Sequence, residues 1–150
     1  MEFKLGEILT KNHLTLSSAE SLTGGLFGET ITSHPGASKY YKGGIITYSN
    51  SIKEELGVNK NTIEKFGAVS KETATEMVKK AQQFFNSDVA VSFTGNAGPT
   101  AMENKPVGLV YIGIAYKTNL FVYSNIFSGT REEIRKKSVE FAIEALENLF

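Results

Sequence analysis

The stretch LTLSSAESLTGGLFGETITSHPGASKYYKGGIITYSNSIK, residues 14–53, decides the fold of this 150-residue chain. It reads as a strand, a turn rich in hydroxyl groups and glycine, a helix, a second polar turn, a second strand and a lysine. In an open α/β sheet, loops of this kind follow the strand ends and form the crevice that binds ligands. The stretch therefore predicts a small-molecule site that combines an anion cradle with a serine–lysine pair.

The rest of the chain continues the alternation of helices and strands. Apolar residues at helical spacing predict helices at residues 2–12, from residue 26 to just before residue 35, at 51–56, after a cap at Ser70, and at 131–149. Residues 14–18, 44–48 and 88–94 are predicted strands, residues 57–66 a loop, and residues 108–116 and 120–127 a β-hairpin. This order predicts one domain over residues 1–150, an α/β fold of three layers (α/β/α) around a mixed, partly parallel sheet of about five strands.

The composition excludes several classes of function. Sixteen basic and sixteen acidic residues cancel, so the sequence shows no electrostatic footprint for nucleic acid or for an anionic membrane. The chain has no cysteine, and its two histidines are isolated, so no metal site and no thiolate nucleophile are expected. The charged amphipathic start is unlike a signal peptide. These features predict a soluble cytoplasmic protein.

A turn of small polar residues joins the first predicted strand to the next helix. Ser21, Thr23, Gly24 and Gly25 lie in this turn. Glycine allows a tight turn, and exposed N–H groups at a helix N-terminus attract anions, so a phosphate or carboxylate is one expected ligand. The alternative is an ordinary helix cap, in which a serine or threonine satisfies those donors. The GxxxxGK[ST] pattern is absent, which argues against an ATPase.

A similar loop follows the strand predicted at residues 88–94. It is polar and bears glycine, and it contains Thr94, Gly95, Asn96, Ala97 and Gly98. Alone, this loop indicates only a turn. Because two such loops follow strand ends, the pair favours a binding crevice.

Lys53 follows Tyr48 by five residues and is a candidate general base. A lysine can act as a base when desolvation or a nearby cation lowers its pKa, and a serine needs such a base to attack an amide. The alternatives are a solvated surface charge for Lys53 and a packing role for Tyr48. Ser38, after the turn at residues 35–36, is a candidate serine or a helix cap.

Three further cations could meet an anionic ligand. Arg131 and Arg135 lie one helical turn apart and could reach a ligand from one face of the last helix. Lys105 precedes Pro106 in a polar loop. The alternative for the two arginines is a solvated helix face, flanked by Glu132 and Glu133.

Six ordered motifs resemble one known family. They are AESLTGG (residues 19–25), PGAS (35–38), YSN with the lysine (48–50 and 53), GAVS (67–70), TGNAGP (94–99) and KPVG (105–108). In these motifs the chain closely resembles the CinA C-terminal domain family, the nicotinamide mononucleotide deamidases. The similarity extends from about Phe3 to the last helix.

The resemblance implies an amidohydrolase that converts nicotinamide mononucleotide to nicotinic acid mononucleotide and ammonia, with a serine–lysine mechanism and without a metal or other cofactor. By motif, Ser38 and Lys53 correspond to nucleophile and base, and Ser21 remains open as the nucleophile. Tyr48 and Thr94, together with Ser21, would support the site, the glycine turns would hold the ribose phosphate, and Arg131 would lie near the substrate. A nucleotide substrate and a homo-oligomer, most simply a dimer, are the implied partners.

The chain departs from the family pattern in two places. Leu22 stands where cysteine is usual, and residues 100–103 replace a stretch that is commonly glycine-rich. The second departure keeps an alternative open: a CinA-like protein associated with nucleotide binding or with competence and DNA damage, which has kept the pocket and lost the chemistry.

Overall fold

The structure is a computed structural model and describes residues 2–150. Within these residues the α-helices are α1 (Leu5–Lys11), α2 (Leu26–Thr32), α3 (Asn50–Leu56), α4 (Lys60–Phe66), α5 (Lys71–Phe85) and α6 (Arg131–Glu147). The strands are β1 (Leu16–Glu20), β2 (Tyr41–Ile46), β3 (Val89–Gly95), β4 (Leu109–Tyr116) and β5 (Asn119–Ile126). None of the described helices is long and apolar enough to span a membrane.

The five strands form one mixed sheet in the order β2-β1-β3-β4-β5. Strand β1 runs parallel to both β2 and β3, whereas β4 and β5 add antiparallel partners on the other side of β3. The prediction of an α/β fold with a partly parallel sheet is confirmed. The predicted hairpin is present as β4 and β5.

Helices cover both faces of the sheet, because successive side chains of a strand point to opposite faces. Val89, Val91 and Phe93 of β3 join the larger core, which also contains buried residues of α1, α2 and α6. On the other face, Ser92 donates a hydrogen bond to the carbonyl of Ala74 in α5. The sheet is thus the middle layer of three.

The parallel strands bring three loops together at one edge. Glu20 pairs with Ile46 of β2 and with Phe93 of β3, so the carboxyl ends of β1, β2 and β3 lie side by side. Ser21 follows β1, Thr47 follows β2 and Asn96 follows β3. In open α/β sheets, ligands bind beyond the carboxyl ends of the parallel strands.

Three predicted segments differ from the structure, and one of them is β2, which spans Tyr41–Ile46 where residues 44–48 were predicted. Helix α4 occupies part of residues 57–66, where a loop was predicted, because Asn59 caps it and Glu76 of α5 accepts hydrogen bonds from Asn59 and Thr62. Ile63 is its single buried hydrophobic residue, so no apolar period marked it. Strand β1 extends to Glu20 instead of ending at residue 18, since its serines and glutamate are buried with partners.

We expect the replacement Phe93→Ala to lower the free energy of unfolding by about 3–5 kcal/mol, because it opens a cavity in the central strand. Phe93 is 0% exposed and packs against Phe27 at 5.4 Å between ring centroids. Phe84→Ala, at a ring that is 66% exposed, is the matched control and should cost about 1 kcal/mol or less. Denaturant unfolding measures both, and equal losses would contradict this description of the core.

Candidate active site

A cavity of about 370 Å³ lies at the carboxyl ends of the parallel strands. Its wall combines the loops after β1, β2 and β3 with the turn before α5, the loop before β4 and the start of α6. The lining residues are Ser21, Leu22, Tyr48, Asn50, Lys53, Ala68, Val69, Thr94, Gly95, Asn96, Ala97, Gly98, Thr100, Met102, Glu103 and Arg131. The cavity therefore draws on both predicted polar loops.

Lys53 lies at the wall of this cavity with its amine buried. Helix α3 carries it, capped by the Ser49 side chain, and the residue is only 1% exposed. The Nζ donates hydrogen bonds to Ser21 Oγ at 3.1 Å, to the carbonyl of Thr47 at 2.8 Å and to that of Tyr48 at 3.1 Å. These three acceptors match the three N–H bonds of an ammonium group.

Burial lowers the pKa of Lys53 from 10.5 to about 8, and the negative charge of Glu103 opposes this shift. A neutral amine is therefore accessible near neutral pH. When the amine is neutral, its two N–H bonds can remain on the carbonyls of Thr47 and Tyr48. Its lone pair then points toward the hydroxyl of Ser21, which is the geometry of a general base with its nucleophile.

The turn that carries Ser21 is held by Glu20. The Ser21 N–H donates to the carbonyl of Phe93 at 3.0 Å, while the buried carboxylate of Glu20 accepts from the N–H groups of Gly25, Phe27 and Gly28 at 3.2, 2.9 and 3.1 Å. The chain's own carboxylate thus occupies the start of α2. The anion cradle predicted at this turn is corrected to an internal helix cap.

Arg135 holds the same turn from α6. It donates to the carbonyl of Leu22 from Nε and to that of Thr23 from Nη2, both at 2.9 Å. Neither Arg135 nor the predicted binding residues Thr23, Gly24 and Gly25 line the cavity. The prediction that these four residues contact substrate is wrong: Arg135 donates to the backbone of the Ser21 turn, and the other three form that turn.

Ser38 lies at the opposite end of the parallel strands, next to the amino end of β2. It sits in a 3-10 turn at Ala37–Lys39, immediately before β2, whereas Lys53 follows the opposite end of that strand. Its exposed side chain lines a separate surface depression with Pro35 and Lys42. The pairing of Ser38 with Lys53 is therefore corrected, because the length of β2 separates them. The serine that contacts Lys53 is Ser21.

The second predicted loop lies in the cavity as expected. Thr94, Gly95, Asn96, Ala97 and Gly98 all line it. The Thr94 hydroxyl donates to the carbonyl of Ala68 at 2.7 Å, which ties β3 to the turn before α5. The Asn96 amide donates to the carbonyls of Met102 and Lys105, both at 3.2 Å, and so closes the loop that follows.

Several residues that line the cavity have a backbone N–H group without a protein partner. Among residues 2–150, no hydrogen bond uses the N–H of Leu22, Ala97 or Gly98. All three residues line the cavity. Leu22 directly follows Ser21, the position from which an N–H commonly stabilises the oxyanion formed by attack of a serine.

Arg131 connects two walls of the cavity. It begins α6 after a capping box formed by Thr130 and Glu133. Its Nη1 donates to the carbonyl of Gly98 at 2.7 Å, and its Nη2 donates to the Tyr48 hydroxyl at 3.3 Å. The Tyr48 side chain is 60% exposed at the mouth. Arg131 and Tyr48 thus form a contact at the solvent-exposed part of the cavity wall.

Sequence reasoning missed the wall made by Glu103. Its carboxylate accepts from the N–H groups of Ala68 at 2.8 Å and Val69 at 3.1 Å, and from Lys105 at 3.3 Å. Lys105, predicted to bind substrate, does not line the cavity, because its ammonium also bonds the carbonyls of Phe66 and Val69. The motif at residues 67–70 indicated that this turn matters, but its sequence does not indicate that Glu103 binds it.

We expect the free energy of unfolding of wild type, relative to that of Lys53→Met, to rise by roughly 2 kcal/mol between pH 7 and pH 10. The pKa of Lys53 is about 8 when folded and near its ordinary value when unfolded, so the unfolded chain binds more protons in this window. Deprotonation therefore favours folding, and Met removes the effect. Urea unfolding at both pH values measures it, and a constant difference would contradict a buried amine.

Comparisons with known proteins agree with the motifs. The sequence matches the profile of the CinA C-terminal domain over residues 1–150. A CinA-like protein of Petrotoga mobilis is 47% identical over 144 residues, which cover 95% of this chain and 36% of that protein. A CinA-like protein of Endomicrobium trichonymphae is 48% identical over 94% of this chain and 33% of its own length. The chain thus spans about a third of these curated relatives.

Solved structures show the same fold. A competence-damaged protein (CinA) superfamily protein from Escherichia coli superposes with a TM-score of 0.96 at 29% identity, covering 99% of this chain and 87% of that one. The competence/damage inducible protein CihA from Agrobacterium tumefaciens superposes with a TM-score of 0.90 at 35% identity, covering 97% and 93%. The chain belongs to the CinA C-terminal domain family.

Proposed function

We propose that the protein is an amidohydrolase that converts nicotinamide mononucleotide to nicotinic acid mononucleotide and ammonia, with Ser21 as nucleophile and Lys53 as base. One observation carries this proposal: the buried Lys53 amine contacts the Ser21 hydroxyl at 3.1 Å and has a pKa lowered to about 8 by burial. A lysine that served only as a surface charge would not be buried at this cost.

The proposed reaction begins with attack of Ser21 Oγ on the carboxamide carbon. Neutral Lys53 takes the hydroxyl proton as the bond forms, and the resulting oxyanion accepts from the N–H of Leu22 and from a donor of the Ala97–Gly98 loop. Lys53 then returns the proton to the leaving nitrogen, which departs as ammonia. Water attacks the acyl-serine with Lys53 again as base, and release of the acid restores Ser21.

Family membership and the charge of the cavity support a nucleotide substrate. Arg131 adds a cation to the cavity wall, beside Gly98 and Tyr48, where it can meet a phosphate. A volume of about 370 Å³ is in the range of small-molecule sites. The correction from Ser38 to Ser21 leaves the proposed chemistry unchanged, since the base remains Lys53.

We expect Ser21→Ala and Lys53→Met each to lower ammonia release from nicotinamide mononucleotide by roughly 10³-fold or more, because each removes one half of the acyl-transfer pair. Ser38→Ala is the matched control and should stay within about twofold of wild type. A chelator in the assay should leave the rate unchanged. Ammonia is measured by a coupled assay on purified protein.

Circular dichroism and thermal unfolding of each variant establish that the fold persists. Wild-type rates in both Ser21→Ala and Lys53→Met would overturn the dyad. Loss of activity in Ser38→Ala alone would identify Ser38 as the nucleophile instead of Ser21. Binding of the mononucleotide without turnover by wild type would identify a nucleotide-binding protein that has kept the pocket and lost the chemistry.

A further inference from the structure

The cavity contains a fixed negative charge that the proposed reaction does not use. Four side chains that line it carry titratable groups: Tyr48, Lys53, Glu103 and Arg131. Within the described part of the chain, Glu103 is the one carboxylate among the lining residues. Its side chain is 29% exposed, so it is partly shielded from solvent.

Glu103 is held in place from two sides. Its Oε2 accepts from the N–H of Ala68 and its Oε1 from the N–H of Val69, and the Lys105 ammonium adds a third donor at 3.3 Å. Desolvation alone would raise the pKa of this carboxyl, but these hydrogen bonds outweigh it and hold the pKa below its usual value. Glu103 is therefore ionised at neutral pH.

The loop around Glu103 is anchored to the rest of the cavity. Asn96 donates to the carbonyls of Met102 and Lys105, which flank Glu103 in the chain. Lys105 does not line the cavity, whereas Glu103 does. This wall thus presents the Glu103 carboxylate to a ligand, with the ammonium of Lys105 paired to it from behind.

Glu103 lines the same cavity as Ser21 and Lys53. Its charge raises the pKa of Lys53 against the larger effect of burial, so the two groups are within electrostatic range. In nicotinamide mononucleotide, the carboxamide is borne on a pyridinium ring whose nitrogen is positively charged. When that amide meets Ser21 and Lys53, the ring charge enters the field of Glu103.

We propose that Glu103 is a specificity-determining residue that favours an amide carried on a cationic ring over the same amide on an uncharged ring. This inference rests on the proposed function and deepens it. Arg131, which also lines the cavity, suits the phosphate, while Glu103 suits the ring, so the cavity is complementary to a substrate that carries both charges. Met102 beside Glu103 adds apolar surface for the ring.

Replacing Glu103 also changes the environment of Lys53. The other charged or titratable groups near this pair are Arg131 and Tyr48 on the cavity wall and Lys105 behind the carboxylate. In Glu103→Gln the opposing charge is lost, so the pKa of Lys53 falls further. The rising limb of the pH profile of kcat/KM therefore moves to lower pH, which a merely structural role of Glu103 would not produce.

The test compares nicotinamide mononucleotide with its reduced 1,4-dihydro form, which keeps the carboxamide and phosphate but lacks the ring charge. We expect Glu103→Gln to lower kcat/KM for the cationic compound about tenfold more than for the reduced compound. Glu55→Gln makes the same chemical change at an exposed position of α3 outside the cavity. It should leave kcat/KM for both compounds unchanged. Ammonia release gives the rates.

Calorimetric binding of both compounds to Ser21→Ala, with and without Glu103→Gln, supplies a readout without turnover. Equal losses for both compounds, in rates or in binding, would overturn the role of Glu103 while leaving the amidohydrolase intact. Charge-selective binding without turnover by wild type would support Glu103 and overturn the proposed function. Absence of both binding and turnover would overturn both.

Discussion

The burial of one amine against one hydroxyl is the constraint on which the rest of this site depends. Lys53 has exchanged water for Ser21 Oγ and for the carbonyls of Thr47 and Tyr48. Removing a lysine from water disfavours its charged form, so the fold gives up stability to keep a titratable amine at this position. Such an arrangement is more common in reactive sites than in structural ones.

The surrounding loops are held mainly by charges of the chain itself. Glu20 caps α2 and Arg135 binds two carbonyls, so both fix the turn of Ser21 from either side. Glu103 and Lys105 do the same for the turn before α5. Four charged groups of a chain with zero net charge thus brace its loops, and one of them, Glu103, also lines the cavity together with Arg131.

The alternation of elements allowed the fold to be predicted, whereas the site was only partly predictable. Apolar periodicity identified α5 and the hairpin of β4 and β5, but α4 has one buried apolar residue and therefore no period. The pairing of Ser38 with Lys53 followed from the family motifs, whereas the strand predicted between them already indicates that they lie at its opposite ends. Sequence spacing does not show that Glu20 fills the predicted cradle or that Glu103 binds the turn before α5, because those contacts require tertiary structure.

The proposed role of Lys53 requires an amine that loses its proton near neutral pH, and heteronuclear NMR of lysine labelled at its side chain can follow this titration. The Lys53 signal is assigned by its absence from the Lys53→Met spectrum. We expect a titration midpoint near pH 8, about two units below that of ordinary lysines. A midpoint above pH 10, with the exposed lysines, would contradict the presence of a buried base beside Ser21.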